Sequence, residues 1–150
     1  MAIRNIVKMG DPILRKTSRQ IEVYDDKLAE LIDDLKETLN KVGGLGLASV
    51  QVGVLKRVLV VDYENQFFEV VNPRILHTEG SVDDNEGCLS VIGYRGIVNR
   101  PQKLDLEFYD RRGVLHSLHV EDYFARVFFH EIDHLDGILF PDKMIKKMPE

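Results

Sequence analysis

The strongest chemical signal in this sequence is a His-Glu-x-x-His motif formed by His130, Glu131 and His134. Residues four apart on a helix lie on the same face, so the two imidazoles would point at one place. Such a pair is half of a metal site. Glu131, about 100° further round the helix, would reach a water on the metal without being a ligand. The motif also arises by chance in helices, so this interpretation depends on a third ligand elsewhere in the chain.

The residues around the motif indicate that its helix is buried. The apolar side chains that cover almost its whole circumference are Phe124, Val127, Phe128, Phe129, Ile132 and Leu135. A helix that is apolar on all sides lies in a core. Its histidines and glutamate would then be buried polar groups that need partners, and a metal with its water would satisfy all three.

The best candidate for the third ligand is Cys88, the only cysteine in the chain. A thiolate with two imidazoles leaves the fourth tetrahedral position open, which is the pattern of a catalytic metal site. A metal can lower the pKa of water to roughly 7, and Glu131 could take its proton and pass it to a leaving amine. Gln51 and a backbone N–H beside Cys88 are candidate donors to a developing oxyanion. Together these residues predict metal-assisted hydrolysis of an amide.

Length, composition and charge exclude several other classes of protein. The 150 residues fit one domain, which we expect to span 1–150, with 44% hydrophobic and 30% charged residues. A formal net charge of −5 argues against direct nucleic-acid binding. No apolar run is near 20 residues long, so we expect no membrane span. The first residues lack the apolar core of a secretory signal, and a lone cysteine cannot form an intrachain disulfide. We therefore expect a cytoplasmic location.

The hydrophobic periodicity predicts a helix, then strands, then the metal helix. The first helix should begin near Asp25 or Asp26 and end at about Val42, before a glycine pair. The elements expected after it are strands 57–62, 67–71 and 74–77, a polar loop 81–85, a hairpin of 103–110 and 114–120, and a helix that starts near Glu121 or Asp122. This order predicts an α+β fold in which antiparallel β-sheets surround a buried central helix that carries the motif.

Three separated stretches resemble, in order, the motifs of the peptide deformylases. They are G-L-G-L-A-S-V-Q (44–51), E-G-C-L-S (86–90) and H-E-I-D-H (130–134). The likeness covers nearly the whole chain, and E-G-C-L-S separates it from other His-Glu-x-x-His hydrolases. The resemblance implies removal of the N-formyl group from the initiator methionine of nascent polypeptides, with release of formate.

The resemblance also implies a role for each matching residue. Cys88, His130 and His134 would hold the metal, Glu131 would be the acid and base, and Gln51 with the Leu89 backbone N–H would polarise the formyl oxygen. The residues that would contact the peptide are Leu45, Gly46, Gly87, Arg95 and Val127.

The donor set suits several divalent metals. One thiolate and two imidazoles accept zinc, ferrous iron, nickel or cobalt, and the resemblance favours Fe²⁺, with Zn²⁺, Ni²⁺ or Co²⁺ able to substitute. We expect a monomer that acts on formyl-methionyl peptides and approaches the ribosome only transiently. Lys143, Lys146 and Lys147 are interpreted as a solvated basic end rather than a ribosome contact.

The sequence departs from the family pattern at three positions. Ser49 stands where the family usually has alanine, Ile92 where proline is frequent, and Phe129 where glutamine commonly precedes the motif. These changes, together with Asp84 near the expected pocket rim, bear on pocket shape and catalytic efficiency. None removes a ligand or the acid and base.

Two alternative functions remain open from the residues alone. A zinc peptidase of another class would need a further His or Glu as third ligand and would leave Cys88 unused; His116 and His119 are expected to be surface or packing residues. A non-catalytic or weakly active deformylase paralogue would use the metal only to stabilise the fold.

Overall fold

Two α-helices, eight β-strands and three short 3-10 turns make up residues 2–149, the part of the chain that the computed structural model describes. The helices are α1 (Asp26–Val42) and α2 (Asp122–Leu135). The strands are β1 (Gly46–Ala48), β2 (Val58–Tyr63), β3 (Gln66–Glu79), β4 (Val82–Cys88), β5 (Val91–Arg100), β6 (Lys103–Tyr109), β7 (Leu115–Glu121) and β8 (Met144–Pro149). The 3-10 turns are Pro12–Arg15, Ser49–Val52 and Phe140–Asp142.

The strands form two antiparallel sheets. One has five strands in the order β1-β2-β3-β6-β7, and the other has three in the order β4-β5-β8. Every pair of neighbouring strands in these sheets is antiparallel. The predicted α+β fold with antiparallel sheets around the motif-bearing helix is confirmed.

The five-stranded sheet has a helix on each face. Successive side chains of a strand point to opposite faces, and in β2 the buried residues divide accordingly. Val58 and Val60 pack in the cluster of α1, whereas Leu59 and Val61 pack in the cluster of α2. Burial on both faces explains why the first four residues of β2, Val58 to Val61, are all apolar rather than alternating with polar residues.

The first helix has the boundaries that its sequence predicts. The Asp25 side chain caps it by accepting a hydrogen bond from the Leu28 amide at 3.0 Å. Gly43 ends it in the left-handed conformation, with φ of +81°. Helix α1 is scaffold for the sheet face opposite α2.

The motif-bearing helix α2 is buried, as its apolar circumference predicts. Its buried residues include Phe128, Phe129 and Leu135. The helix is followed by Gly137, whose φ is +75° and whose α-carbon lies against the Arg15 carbonyl; an added Cβ would stand 2.5 Å from that oxygen. Only glycine fits there, so the Asp136-Gly137 end of the helix is fixed by a tertiary contact as well as by backbone conformation.

Two parts of the predicted strand pattern are wrong. The expected polar loop 81–85 lies mostly in β4, because its backbone pairs with β5 from Val82 to Cys88. The segments 67–71 and 74–77 belong to one strand, β3, whose register against β6 shifts between Val71 and Arg74. The prediction missed β4 because most of its side chains are polar, and it divided β3 in two because Pro73 interrupts the strand pattern.

The lysine-rich end, expected to be a solvated basic end, has exposed lysines and a backbone that forms an edge strand. Its lysines are exposed, but residues 144–149 pair with β5 as β8. Lys143 lies 3.1 Å from Asp133, and the Lys147 ammonium stands 4.4 Å from the centre of the Tyr94 ring. Among the described residues, neither helix combines the length and apolarity needed to cross a bilayer.

Candidate metal centre

Three potential ligands converge between the end of β4 and the middle of α2. One ligand atom each from Cys88, His130 and His134 lies within 4.8 Å of the others. The Cys88 Sγ is 3.3 Å from the His134 Nε2, and the two imidazole rings have their centres 5.0 Å apart. The four-residue spacing aligns the histidines on one face, but Cys88 reaches them only because the β4–β5 hairpin packs beside α2.

The chemistry of these side chains fits a divalent metal. Sulfur and imidazole nitrogen are the donors that zinc and the later transition metals accept. His134 is completely buried, and burial lowers the pKa of its imidazole well below the ordinary value. His134 is therefore a neutral base, the form that coordinates a metal. The Glu131 Oε1 is also buried and has no hydrogen-bond partner within residues 2–149, as expected for a group that faces a ligand.

The orientation of His130 is fixed by Glu86, which the sequence did not suggest. The His130 Nδ1 lies 2.9 Å from the Glu86 Oε1, leaving Nε2 free for a metal. Burial opposes a charge on His130, but its hydrogen bonds with Cys88 and Glu86 raise its pKa well above the ordinary value. The available signal was position, because Glu86 lies only two residues before Cys88 in β4.

Glu86 belongs to a buried ionic cluster that also contains Arg100, Arg126 and Asp133. Arg100 binds Glu86 through two nitrogens, at 2.8 and 2.9 Å, and Asp133 through the third, at 2.6 Å. Arg126 reaches the same carboxylate at 2.7 Å. Burial acts to raise the pKa of Glu86, but the hydrogen bonds from Arg100 and His130 outweigh it and hold that pKa well below its usual range. Glu86 is therefore an anion that orients His130.

Glu131 is buried beside the potential ligands. Only 4% of its surface is exposed, and burial raises the pKa of its carboxyl to about 7. Its Oε2 is 4.0 Å from the His130 Nε2. A carboxyl that gains and loses a proton near neutrality is suited to general acid and base chemistry.

Gln51 is held with its amide nitrogen towards the cysteine. The Gln51 Oε1 accepts a hydrogen bond from the Ala48 amide at 2.9 Å, which fixes the side chain in the 3-10 turn. The Gln51 Nε2 then lies 3.1 Å from the Ser90 Oγ and 3.6 Å from the Cys88 Sγ. The amide of Gln51 is therefore a neutral hydrogen-bond donor that lies beside Cys88 and is not one of the three potential ligands.

A cavity of about 300 Å³ opens onto these groups. The residues of the predicted site that line it are Leu45, Gly46, Gln51, Gly87, Cys88, Leu89, Arg95, Val127, His130 and Glu131. His134 lies behind them. Lining residues that the sequence did not suggest are Gly43, Gly44, Glu86, Tyr123 and Arg126. The site residues predicted from separated motifs thus come together at one place.

Arg95 approaches the cavity across Gly87. The Arg95 Nε donates to the Asn85 Oδ1 at 3.1 Å, and any side chain at Gly87 would overlap the guanidinium. The glycine therefore permits a cation to lie against the strand that carries Cys88.

The three departures from the family pattern lie outside the cavity lining. Phe129 packs in the core around α2, and Ile92 is 69% exposed at the second position of β5. Ser49 is buried, with its Oγ 2.7 Å from the carbonyl oxygens of both Val54 and Lys56. The side chains of Ser49, Ile92 and Phe129 therefore do not line the cavity, and they do not change its shape by direct contact.

The histidines that precede the motif do not join the centre. His116 and His119 are exposed on β7, where His116 pairs with Asp110 at 2.8 Å and His119 with Asp105 at 2.6 Å. Their surface position agrees with the expectation from the sequence.

Comparison with known proteins identifies the family. A family model described as polypeptide deformylase matches residues 3–150. Over 150 residues the chain is 49% identical to the peptide deformylase of Caldicellulosiruptor bescii, covering 100% of this chain and 90% of that protein. It is 45% identical to that of Acetivibrio thermocellus, covering 100% and 88%. The crystal structure of peptide deformylase from Thermotoga maritima matches with a TM-score of 0.94 at 34% identity, covering 96% of this chain and 99% of that one. The chain therefore belongs to the polypeptide deformylase family.

Proposed function

We propose that this centre removes the N-formyl group from formyl-methionyl peptides and releases formate. The observation that carries the proposal is the convergence of Cys88, His130 and His134 beside a buried Glu131, in a chain that matches a deformylase family over residues 3–150. Family membership supports the deformylase reaction rather than a zinc peptidase or an inactive paralogue.

We propose Cys88, His130 and His134 as the ligands of a divalent metal. Ferrous iron is our first choice, with zinc, nickel or cobalt as substitutes, because one thiolate and two imidazoles accept all four. When bound, the metal supplies a Lewis acid that makes water a stronger nucleophile at neutral pH. Glu86 supports this ligand set by holding the His130 ring through Nδ1.

Glu131 is the group that moves the proton. Its carboxylate accepts a proton from the attacking water while the water oxygen bonds to the formyl carbon. It then delivers that proton to the departing nitrogen as the C–N bond breaks. The second water proton passes from formic acid to the amine, so formate and a methionyl ammonium group result. A pKa near neutrality lets the same carboxyl act first as base and then as acid.

Gln51 and the Leu89 backbone N–H are the proposed donors to the formyl oxygen. The Gln51 Nε2 is already directed to the centre by the bond between its Oε1 and Ala48. Neutral donors fixed in place stabilise negative charge as it develops on the carbonyl oxygen.

The peptide is proposed to lie extended between β1 and β4. Gly46 and Gly87 would offer backbone groups to it, as in the addition of a strand to a sheet. Leu45 and Val127 would border the methionine side chain, and Arg95 would lie towards the peptide's exit. All five residues line the cavity.

We further propose that residues 1–150 act as one domain and as a cytoplasmic monomer, with only transient proximity to the ribosome. The described residues of one chain supply every proposed ligand and donor, so the reaction requires no second copy.

The test is hydrolysis of a formyl-methionyl peptide, with formate and bound metal both measured. The matched control substrate is the same peptide with an acetyl group in place of the formyl group. We expect formate release that depends on the metal, with the acetyl peptide left intact. Cleavage of internal peptide bonds would support a peptidase instead, and a metal-loaded protein without turnover would support the inactive paralogue.

A further inference from the structure

Arg126 is a buried cation that takes no part in the proposed reaction. It lies on α2 one turn before His130 and is only 3% exposed. Its Nη1 donates to the Glu86 Oε2 at 2.7 Å and to the Val98 carbonyl at 2.8 Å. Its Nη2 donates to the Val82 carbonyl at 2.8 Å. One guanidinium from the helix thus binds a side chain of β4 and the main chain of both β4 and β5.

These bonds join two parts of the molecule that share little apolar packing. The apolar cluster around α2 is formed with the five-stranded sheet, and among the described residues it takes no member from β4, β5 or β8. The three-stranded sheet has its own small cluster, which includes Val91, Val98 and Phe140. The polar bonds of Arg126 and Arg100 are therefore a principal connection between the two parts.

The connection matters because the proposed metal ligands are divided between these two parts. His130 and His134 lie on α2, whereas Cys88 lies at the end of β4, two residues after Glu86. The distance from the thiol to the imidazoles therefore depends on how firmly the β4–β5 hairpin is held to the helix. A metal site tolerates little error in ligand distance, and loosening one ligand weakens the whole set.

We propose that Arg126 is a positioning residue that sets the position of Cys88 relative to His130 and His134. The inference rests on the proposed function, since it assumes these residues are the ligands. A planar guanidinium with donors in a fixed fork can reach three oxygens on two strands, which a lysine ammonium cannot do with the same geometry. When Arg126 is replaced, Arg100 still pairs with Glu86. We therefore expect the loss of Arg126 to weaken metal binding rather than abolish it.

The test compares metal binding in Arg126→Met with that in Arg111→Met. Arg111 is a matched control because it also joins separate elements, binding Glu69 of β3 and Asp33 of α1, but it does not line the cavity. We expect Arg126→Met to raise the Kd for Zn²⁺ by roughly 10–100-fold, the usual effect of losing a group that holds the ligands in place. Arg111→Met should lower thermal stability and leave that Kd unchanged.

A cobalt-substituted sample provides the second readout. The thiolate-to-cobalt charge-transfer band reports the bond to Cys88, and we expect it to be weakened in Arg126→Met and unchanged in Arg111→Met. Arg126→Lys should lie between Arg126→Met and wild type in both measurements. If Arg126→Met does not fold, Arg126→Lys alone tests the proposal. A Kd for Zn²⁺ and a cobalt band equal to those of the wild type in Arg126→Lys would then overturn it.

The wild-type protein separates this inference from the proposed function. A wild-type chain without a Cys88-dependent cobalt band would refute the ligand set itself. A normal wild-type band, together with an unchanged Kd in Arg126→Met or an equal loss in Arg111→Met, would refute only the positioning role of Arg126.

Discussion

The α-carbon of Gly46 lies directly against the carboxyl group of Glu131. A Cβ added at Gly46 would stand 2.8 Å from both the Cγ and the Oε2 of Glu131. Glycine at this position of β1 therefore leaves room for the carboxyl group of Glu131, the proposed acid and base, on α2.

Gly46→Ala should displace Glu131 without removing it. Because an error of about 1 Å in a catalytic group can cost on the order of 10²-fold, we expect kcat to fall by about that factor. Metal content should remain at the wild-type level, since Gly46 is not a proposed ligand and the added methyl group would meet Glu131 first. Steady-state kinetics with metal analysis of the same sample measures both quantities, and an unchanged kcat would show that Glu131 tolerates the methyl group.

Glu131→Gln should keep the metal and lose nearly all hydrolysis. An amide has the size of the carboxyl group but cannot carry the proton from the water to the amine. The expected loss in kcat is roughly 10²–10⁴, the contribution of a general acid or base. Retention of more than about a tenth of the activity would contradict that role.

Gln51→Leu should lower kcat by roughly 10²–10³, the usual effect of removing one oxyanion donor. Leucine preserves the volume but offers no N–H to the formyl oxygen. A rise in KM at constant kcat would instead assign Gln51 to substrate binding. Circular dichroism is the necessary check on folding, because the side chain also bonds to Ala48.

Metal binding should weaken as pH falls. Burial opposes a charge on the His130 imidazole, but the hydrogen bonds of that ring with Cys88 and Glu86 raise its pKa well above the ordinary value, which favours the protonated ring when no metal is bound. A metal must displace that proton, and the apparent affinity should therefore rise with pH until the proton is lost. Calorimetric titration of Zn²⁺ in two buffers with different heats of ionisation counts the protons released. An affinity independent of pH would contradict the prediction.

Enzyme loaded with iron under anaerobic conditions should be the most active form and should decay in air. One oxidation at Fe²⁺, or at the sulfur of Cys88, would end activity. Zinc has no accessible redox step, so the zinc form should be slower but stable. Cys88→Ser should weaken binding of either metal, because a hydroxyl resists the deprotonation that a thiol undergoes on coordination. Equal activity of the two forms, or an iron form that survives prolonged aeration, would count against iron as the working metal.

The sequence by itself determined the elements whose signals are local. Helix α1 follows from its apolar stripe and its caps at Asp25 and Gly43, and α2 from a circumference of apolar side chains. The spacing of His130 and His134 places two imidazoles on one face whatever surrounds the helix. The identity of Cys88 as the third candidate required only that it was the one cysteine available.

Tertiary structure alone decided what surrounds these residues. Strand β4 carries mostly polar side chains, and β8 is short and pairs with a strand distant in sequence, so no local periodicity marked either strand. The Glu86–Arg126 bond joins residues 40 positions apart, and each of the two has the character of a surface charge until the fold buries it. Charged side chains are stable in a core only when opposite charges and hydrogen bonds meet them there. Whether Arg126 and Glu86 come together depends on how the β4–β5 hairpin packs beside α2, and the spacing of residues in the sequence does not determine that packing.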